Sequence, residues 1–318
     1  MNIFWACLLL VAGLLILWKC AELLVAGAVG LAERLGISQL IIGLTVVAMG
    51  TSAPEVAASI AAAVRGAGDV AIGNVYGSNI ANLALVGGLC ALIRPIRIQS
   101  RIFKREIPVM LLVTLLLWPV LHNLYLSRLE GFILLSVFAV LILLTVYMAK
   151  RETVDQKPDT RNQSHESRAT SHEILFVVIG LAGLSLGADI TVRGAVFIGE
   201  RIGLSEAVIG LTIIAIGTSL PELVTCAVAA VKKQSDISIG IMVGSNVFNA
   251  LLAIGVAGLI RPFEIVQRLA GLDYWIMVII SGVFVVMALI GRRISRINGM
   301  LLLCGYIAYL VYLFAFSV

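Results

Sequence analysis

The sequence predicts an all-α membrane protein of ten transmembrane helices, arranged as two inverted five-helix repeats. Three observations carry that prediction: an apolar content no soluble fold can hide, ten apolar stretches of membrane-spanning length, and a second half that repeats the first at constant spacing. Of 318 residues, 60% are apolar and 13% charged, with a mean hydropathy of +1.07. The charged share is about half that of an ordinary soluble domain. So few polar side chains cannot cover a water-exposed surface. Soluble, disordered and nucleic-acid-binding proteins are thereby excluded. The net charge of +5 comes from Lys and Arg in connecting loops, as membrane topology requires. Five cysteines scattered through apolar runs read as small core residues, not as a disulfide framework.

An apolar stretch of about 20 residues crosses the hydrocarbon of a bilayer. Such stretches occur at 3–29, 38–64, 70–93, 106–126, 129–149, 174–199, 204–231, 237–260, 272–291 and 297–317. Residues 1–149 form the first five-helix unit and 173–318 the second. Between them lies 150–172, polar and without apolar period, expected to be a flexible linker. Sixteen Lys and Arg fall in odd-numbered loops and five in even-numbered ones. Positive charge collects on the cytoplasmic side, so the linker is expected inside the cell and both termini outside.

Residues 21–88 align without a gap to 188–255, at an offset of 167. Within them GLTVVAMGTSAPE (43–55) matches GLTIIAIGTSLPE (210–222), and GNVYGSNIAN (73–82) matches GIMVGSNVFN (240–249). Five spans separate the copies. Because five is odd, the second copy enters the membrane from the opposite side, which is the architecture of secondary transporters with a midplane site.

Each copy places Gly-Thr-Ser-x-Pro-Glu in mid-span: Gly50, Thr51, Ser52, Pro54, Glu55, and Gly217, Thr218, Ser219, Pro221, Glu222. The prolines lack the N–H that would close the helical bond to Gly50 and Gly217, so each helix breaks there. Broken backbone at membrane depth survives only where it is buried in protein or lines a polar cavity. Freed carbonyls, with neighbours such as Ala48 and Ala215, then join hydroxyls and one carboxylate as hard oxygen ligands. Such a set suits Ca²⁺ or Na⁺ rather than soft metals. A carboxylate at the bilayer centre costs at least about 2.5–3.5 kcal/mol, so Glu55 and Glu222 point to a task. Two glutamates carry the charge that one Ca²⁺, two Na⁺ or two protons would neutralise, a physical basis for exchange on one site.

The second motif supplies Ser78, Asn79 and Asn82, and Ser245, Asn246 and Asn249. Ser78 and Asn82 are four apart and share a helix face, as do Ser245 and Asn249. The alternative for Asn79 and Asn246 is interhelical hydrogen bonding. Gly73 with Gly77, and Gly240 with Gly244, read as small-residue stripes for close helix packing. Glu22 is expected to pair with Lys19, and Asp189 with Arg193.

These motifs resemble the paired α-repeats of the calcium:cation antiporter superfamily, most closely the prokaryotic-type sodium/calcium exchangers. The resemblance covers the whole ten-span layout. It implies metal-ligating roles for Glu55, Glu222, Thr51, Thr218, Ser52, Ser219, Ser78, Ser245, Asn82 and Asn249, with the backbone carbonyls of Ala48 and Ala215. It also implies that the first and sixth spans slide as a gate. Many exchangers that this chain resembles carry Asp at the position of Asn249; here both equivalent positions are amides. The function expected is secondary antiport of Ca²⁺ against Na⁺ across the cell (inner) membrane, by alternating access and without a cofactor. The alternatives are Ca²⁺/H⁺ exchange, K⁺-dependent Na⁺/Ca²⁺ exchange and, more remotely, a cation channel. Enzymatic chemistry is not expected: there is no His-Glu-x-x-His, and the histidines (His122, His165 and His172) sit in or near loops.

Overall fold

The computed structural model describes residues 2–99, 102–155, 166–202 and 215–316. The first half runs α1 (Ile3–Leu35), α2 (Gln39–Thr51), α3 (Ala53–Val64), α4 (Gly68–Ile93), α5 (Ile107–Leu121, entered through a π-turn at Ile102–Glu106) and α6 (Arg128–Asp155). The second half runs α7 (Glu166–Arg201), α8 (Ala215–Thr218), α9 (Leu220–Val231), α10 (Ser235–Ile260), α11 (Tyr274–Leu289, entered through a π-turn at Leu269–Asp273) and α12 (Arg296–Phe316). α1 starts where the Asn2 side chain accepts a hydrogen bond from the Trp5 N–H and stops at Gly36, whose φ of 64° is left-handed.

Seven described helices are long and apolar enough to cross a membrane, and the bent pair α2–α3 makes eight. The fourth expected span appears as α5, 15 residues long, with its five-residue lead-in. Of the seventh, α8 and α9 are described, while 203–214 lie outside the described residues. The linker departs from its expected form. α6 continues to Asp155 and α7 begins at Glu166, so helix occupies both ends of 150–172. A helix already nucleated by an apolar span extends cheaply through Lys, Arg, Glu and Ala, which are good helix formers.

The duplication reaches beyond the segments that align in sequence. The π-turns at Ile102–Glu106 and Leu269–Asp273 are equivalent, as are β1 (Ile96–Arg97) and β3 (Phe263–Glu264). β1 pairs with β4 (Arg293–Ile294), and β3 with β2 (Tyr125–Leu126), both antiparallel, so each half completes a two-stranded ribbon of the other. The first helices of the two halves also pack antiparallel. A Cβ on Gly180 would lie 2.8 Å from Leu24 Cβ, on Gly187 3.0 Å from Leu17 Cγ, and on Gly194 2.8 Å from the Ala6 carbonyl. The Lys19–Glu22 and Asp189–Arg193 pairs form as expected, at 3.0 and 2.8 Å.

Burial sorts the helices into a wall and an interior. In its most apolar stretch α6 is 11% buried and α1 17%, whereas α4 is 72% and α10 83% buried. α6 therefore offers Leu129, Phe132, Val140 and Leu143 outward, as lipid contact requires, and α4 and α10 are enclosed by protein. That enclosure depends on glycine. A Cβ on Gly244 would lie 2.7 Å from both Ala48 Cβ and the Leu44 carbonyl, and one on Gly240 2.9 Å from the Leu40 carbonyl. The expected small-residue stripe is thus present on α10. No described atom comes within 4 Å of a Cβ on Gly73 or Gly77; the residues equivalent to Leu40 and Leu44 there are 207 and 211, outside the described residues. Gly244→Val is expected to destabilise the protein by about 1–3 kcal/mol through overpacking. A lowered melting midpoint in detergent checks it, and an unchanged midpoint contradicts the packing argument.

Candidate ion-binding site

The enclosed helices and the two helix breaks meet in one place. α2 ends at Thr51, Ser52 leaves helical geometry (φ −81°, ψ 2°), and α3 resumes at Ala53 at an angle of 43°. The equivalent break falls at Ser219 (φ −88°, ψ 5°) between α8 and α9. Pro54 and Pro221 sit in the first turns of α3 and α9, where a missing N–H costs nothing. Glu55 and Glu222 fall in those same first turns, at the helix ends whose dipole favours negative charge. Glu55 is wholly buried and Glu222 1% exposed. Neither appears among the ion pairs of the described residues.

The carboxylates are held crosswise. Ser52 of the first half donates to Glu222 Oε1 at 2.9 Å, and Ser219 of the second donates to Glu55 Oε1 at 3.1 Å. The second motif completes each cluster from the enclosed helices. Ser78 Oγ lies 3.4 Å from Ser219 Oγ, and Ser245 donates to Glu222 Oε1 at 3.4 Å. Each glutamate therefore sits among residues from both halves. The other oxygens of both carboxylates, Glu55 Oε2 and Glu222 Oε2, are buried without a hydrogen-bond partner.

Asn82 and Asn249 are fully buried, one turn beyond Ser78 and Ser245, and no atom of either amide has a partner. Asn79 and Asn246 differ. Asn79 Nδ2 donates to the Asn246 carbonyl at 3.3 Å, and Asn246 Nδ2 to the Asn79 carbonyl at 3.4 Å, a reciprocal staple between α4 and α10. Interhelical hydrogen bonding, the alternative weighed for this pair, is what they do. Thr51 is buried and donates to the Ala48 carbonyl at 3.3 Å; Thr218, at the end of α8, is half-buried. Ala48 corrects one expectation. Its carbonyl is not freed by the helix break, because it also accepts the Ser52 N–H at 2.9 Å; proline empties the carbonyl four residues before it, which is Gly50. Ala215, in the equivalent position, opens α8.

Sequence reasoning passed over Asn74, whose Nδ2 donates to the Glu55 carbonyl and to Ser59 Oγ, both at 3.1 Å. The signal was available, since 74, 78 and 82 share a helix face at a spacing of four. Among the described residues no three His, Cys, Asp or Glu side chains gather, so of those residues two carboxylates supply the charge of this cluster. The rest of its ligand capacity is neutral oxygen, suited to a hard cation.

Fold and site define an all-helical integral membrane protein whose two related halves bury a cluster of two carboxylates and neutral oxygens between them. The family described as "Sodium/calcium exchanger protein" matches residues 5–147 and 172–315. The inner membrane protein YrbG of Escherichia coli (strain K12) is 39% identical over 318 residues, 97% of each chain. The sodium/calcium exchanger MaX1 of Methanosarcina acetivorans is 34% identical over 348 residues, 96% of this chain and 98% of that one. The solved structure of the sodium-calcium exchanger NCX_Mj, soaked with 10 mM Na⁺ and zero Ca²⁺, matches with a TM-score of 0.84 at 29% identity, over 98% of this chain and 99% of that one. The chain belongs to the sodium/calcium exchanger family, a family of transporters.

Proposed function

We propose that the protein is an antiporter of the cell (inner) membrane that exchanges Ca²⁺ for Na⁺ by alternating access. The observation that carries this reading is that the buried oxygens without protein partners include both glutamates and both amides of the paired motifs' last positions: Glu55 Oε2, Glu222 Oε2, Asn82 Oδ1 and Asn249 Oδ1. A buried polar atom left unpaired costs about 1–3 kcal/mol. Four in symmetric positions, two of them anionic, are accounted for by a cation that they coordinate. Ser52, Ser219, Ser78, Ser245, Thr51, Thr218 and the carbonyls of Ala48 and Ala215 complete the proposed ligand set.

In this reading, Ca²⁺ or Na⁺ neutralises the glutamates, and only a neutralised site passes between states open to opposite faces of the membrane. The antiparallel packing of α1 on α7 supports an inverted 5+5 arrangement, because equivalent helices of inverted halves run in opposite directions. Units 1–149 and 173–318 then flank a cytoplasmic linker at 150–172, with both termini outside, as the loop charges suggest. Asn249 favours a second reading. With an amide there the site holds two carboxylates, and protons, or K⁺ with Na⁺, become alternative counter-ions.

Uptake of ⁴⁵Ca²⁺ into Na⁺-loaded proteoliposomes, diluted into Na⁺-free medium at matched pH, tests the first reading. Uptake driven by the Na⁺ gradient is the expected result. Uptake driven only by a pH gradient moves the protein to Ca²⁺/H⁺ exchange, and non-saturating flux without counter-transport moves it to a channel.

A further inference from the structure

The two halves hold their glutamate-bearing helices in different ways. In the first, Asn74 Nδ2 reaches from α4 to the Glu55 carbonyl at 3.1 Å and to Ser59 Oγ at 3.1 Å, and Ser59 Oγ donates to the Ala71 carbonyl at 3.4 Å. The tie therefore ends on the backbone of Glu55 itself. The equivalents of Asn74, Ser59 and Ala71 in the second half are Ile241, Cys226 and Ser238. There Ser238 Oγ donates to the Cys226 carbonyl at 3.1 Å, and Cys226 Sγ to the Ser238 carbonyl at 3.6 Å. That tie lies one helical turn beyond Glu222, and Ile241 has no donor to offer the Glu222 carbonyl.

We infer that Asn74 is a positioning residue that fixes Glu55 for ion binding, and that it makes the two glutamates inequivalent. The inference rests on the reading of Glu55 as an ion ligand. Proline has removed the regular hydrogen bonding just before Glu55, so the first turn of α3 lacks part of the ladder that would hold it. The Asn74 amide supplies a fixed donor there, from the same helix face that carries Ser78 and Asn82. A ligand held in place beforehand binds without a further ordering cost. A ligand freed from its tie must be ordered by the ion, and apparent affinity falls while the maximal rate is kept.

The test is ⁴⁵Ca²⁺ uptake into Na⁺-loaded proteoliposomes as a function of Ca²⁺ concentration, for wild type, Asn74→Leu and Ser59→Ala. Asn74→Leu keeps the branched heavy-atom skeleton, with a larger apolar end, and removes the donor. Its KM for Ca²⁺ is expected to rise about tenfold, the worth of one hydrogen bond, with the maximal rate within about twofold of wild type. Ser59→Ala leaves the Asn74 bond to Glu55 in place, so its KM stays within about twofold of wild type. If Asn74→Leu does not give a monodisperse protein, Asn74→Thr, polar but too short to reach the carbonyl, is expected to show the same rise in KM. An unchanged KM, or a lost maximal rate at unchanged KM, makes Asn74 merely structural and overturns the inference. A wild-type protein that takes up no Ca²⁺ under either gradient refutes the exchanger reading and this inference with it. Wild-type uptake with unaltered Asn74 variants refutes the positioning role alone.

Discussion

Glu55→Gln and Glu222→Gln are each expected to reduce Na⁺-driven Ca²⁺ uptake by about a hundredfold or more, without loss of folded protein. The magnitude follows from charge. A unit charge 4 Å from another in an environment of effective dielectric 20 is worth about 4 kcal/mol, and a divalent ion doubles that. Half of it surviving the ion's dehydration still exceeds the roughly 2.8 kcal/mol that a hundredfold requires. Stability is expected to respond in the opposite sense. Glutamine keeps the shape of the side chain and an acceptor oxygen for Ser52 or Ser219, and it removes a buried charge with no basic partner, whose burial is costly. Both variants should therefore melt no lower than wild type when Ca²⁺ and Na⁺ are absent. Near-normal uptake in both would sink the proposed site. Lost uptake with a markedly lowered melting midpoint would make the glutamates structural.

Asn249→Asp is expected to produce the second largest change. Its amide is buried without a partner, one turn beyond Ser245 on the face that meets Glu222. A third carboxylate raises the formal negative charge of the cluster by half. A divalent occupant gains about twice as much from that charge as a single Na⁺ does, and the added carboxyl can itself take up a proton. The Na⁺ concentration for half-maximal drive should shift by about threefold or more, and uptake should gain a new dependence on pH. Without ions the like charges repel, so the variant should melt below wild type and recover on adding Ca²⁺. Uptake measured over a grid of Na⁺ concentration and pH decides. A wild-type profile with wild-type stability would leave Asn249 a packing residue.

Much of the site was legible in the chain because its chemistry breaks local rules. A proline and a glutamate in mid-span are costly in a membrane helix, and their recurrence at a fixed offset marks them as one feature used twice. The breaks at Ser52 and Ser219 follow from the absent proline N–H alone. Two groups of residues could not be sorted this way. Asn79 and Asn82 are both buried amides on α4, and nothing local separates a staple from a free ligand. Only the crossing of α4 with α10 pairs Asn79 with Asn246 and leaves Asn82 unpaired. Asn74 was overlooked because its counterpart is Ile241, so repetition, the strongest signal available, gave it no weight. The helical ends of the linker were hidden for a different reason. Polar residues there show no apolar period, yet they continue helices that the adjoining spans have nucleated.

By itself the sequence determined the membrane class, the approximate spans, the duplication and the identity of the paired motifs. These follow from composition, hydropathy and residue spacing, which act along the chain. The tertiary structure alone decided which half serves which glutamate. Ser52 reaches Glu222 and Ser219 reaches Glu55 across 170 and 164 residues. No propensity or period along one segment encodes a hydrogen bond to another; it appears only when glycine-lined helices close to contact and bring the two broken helices face to face.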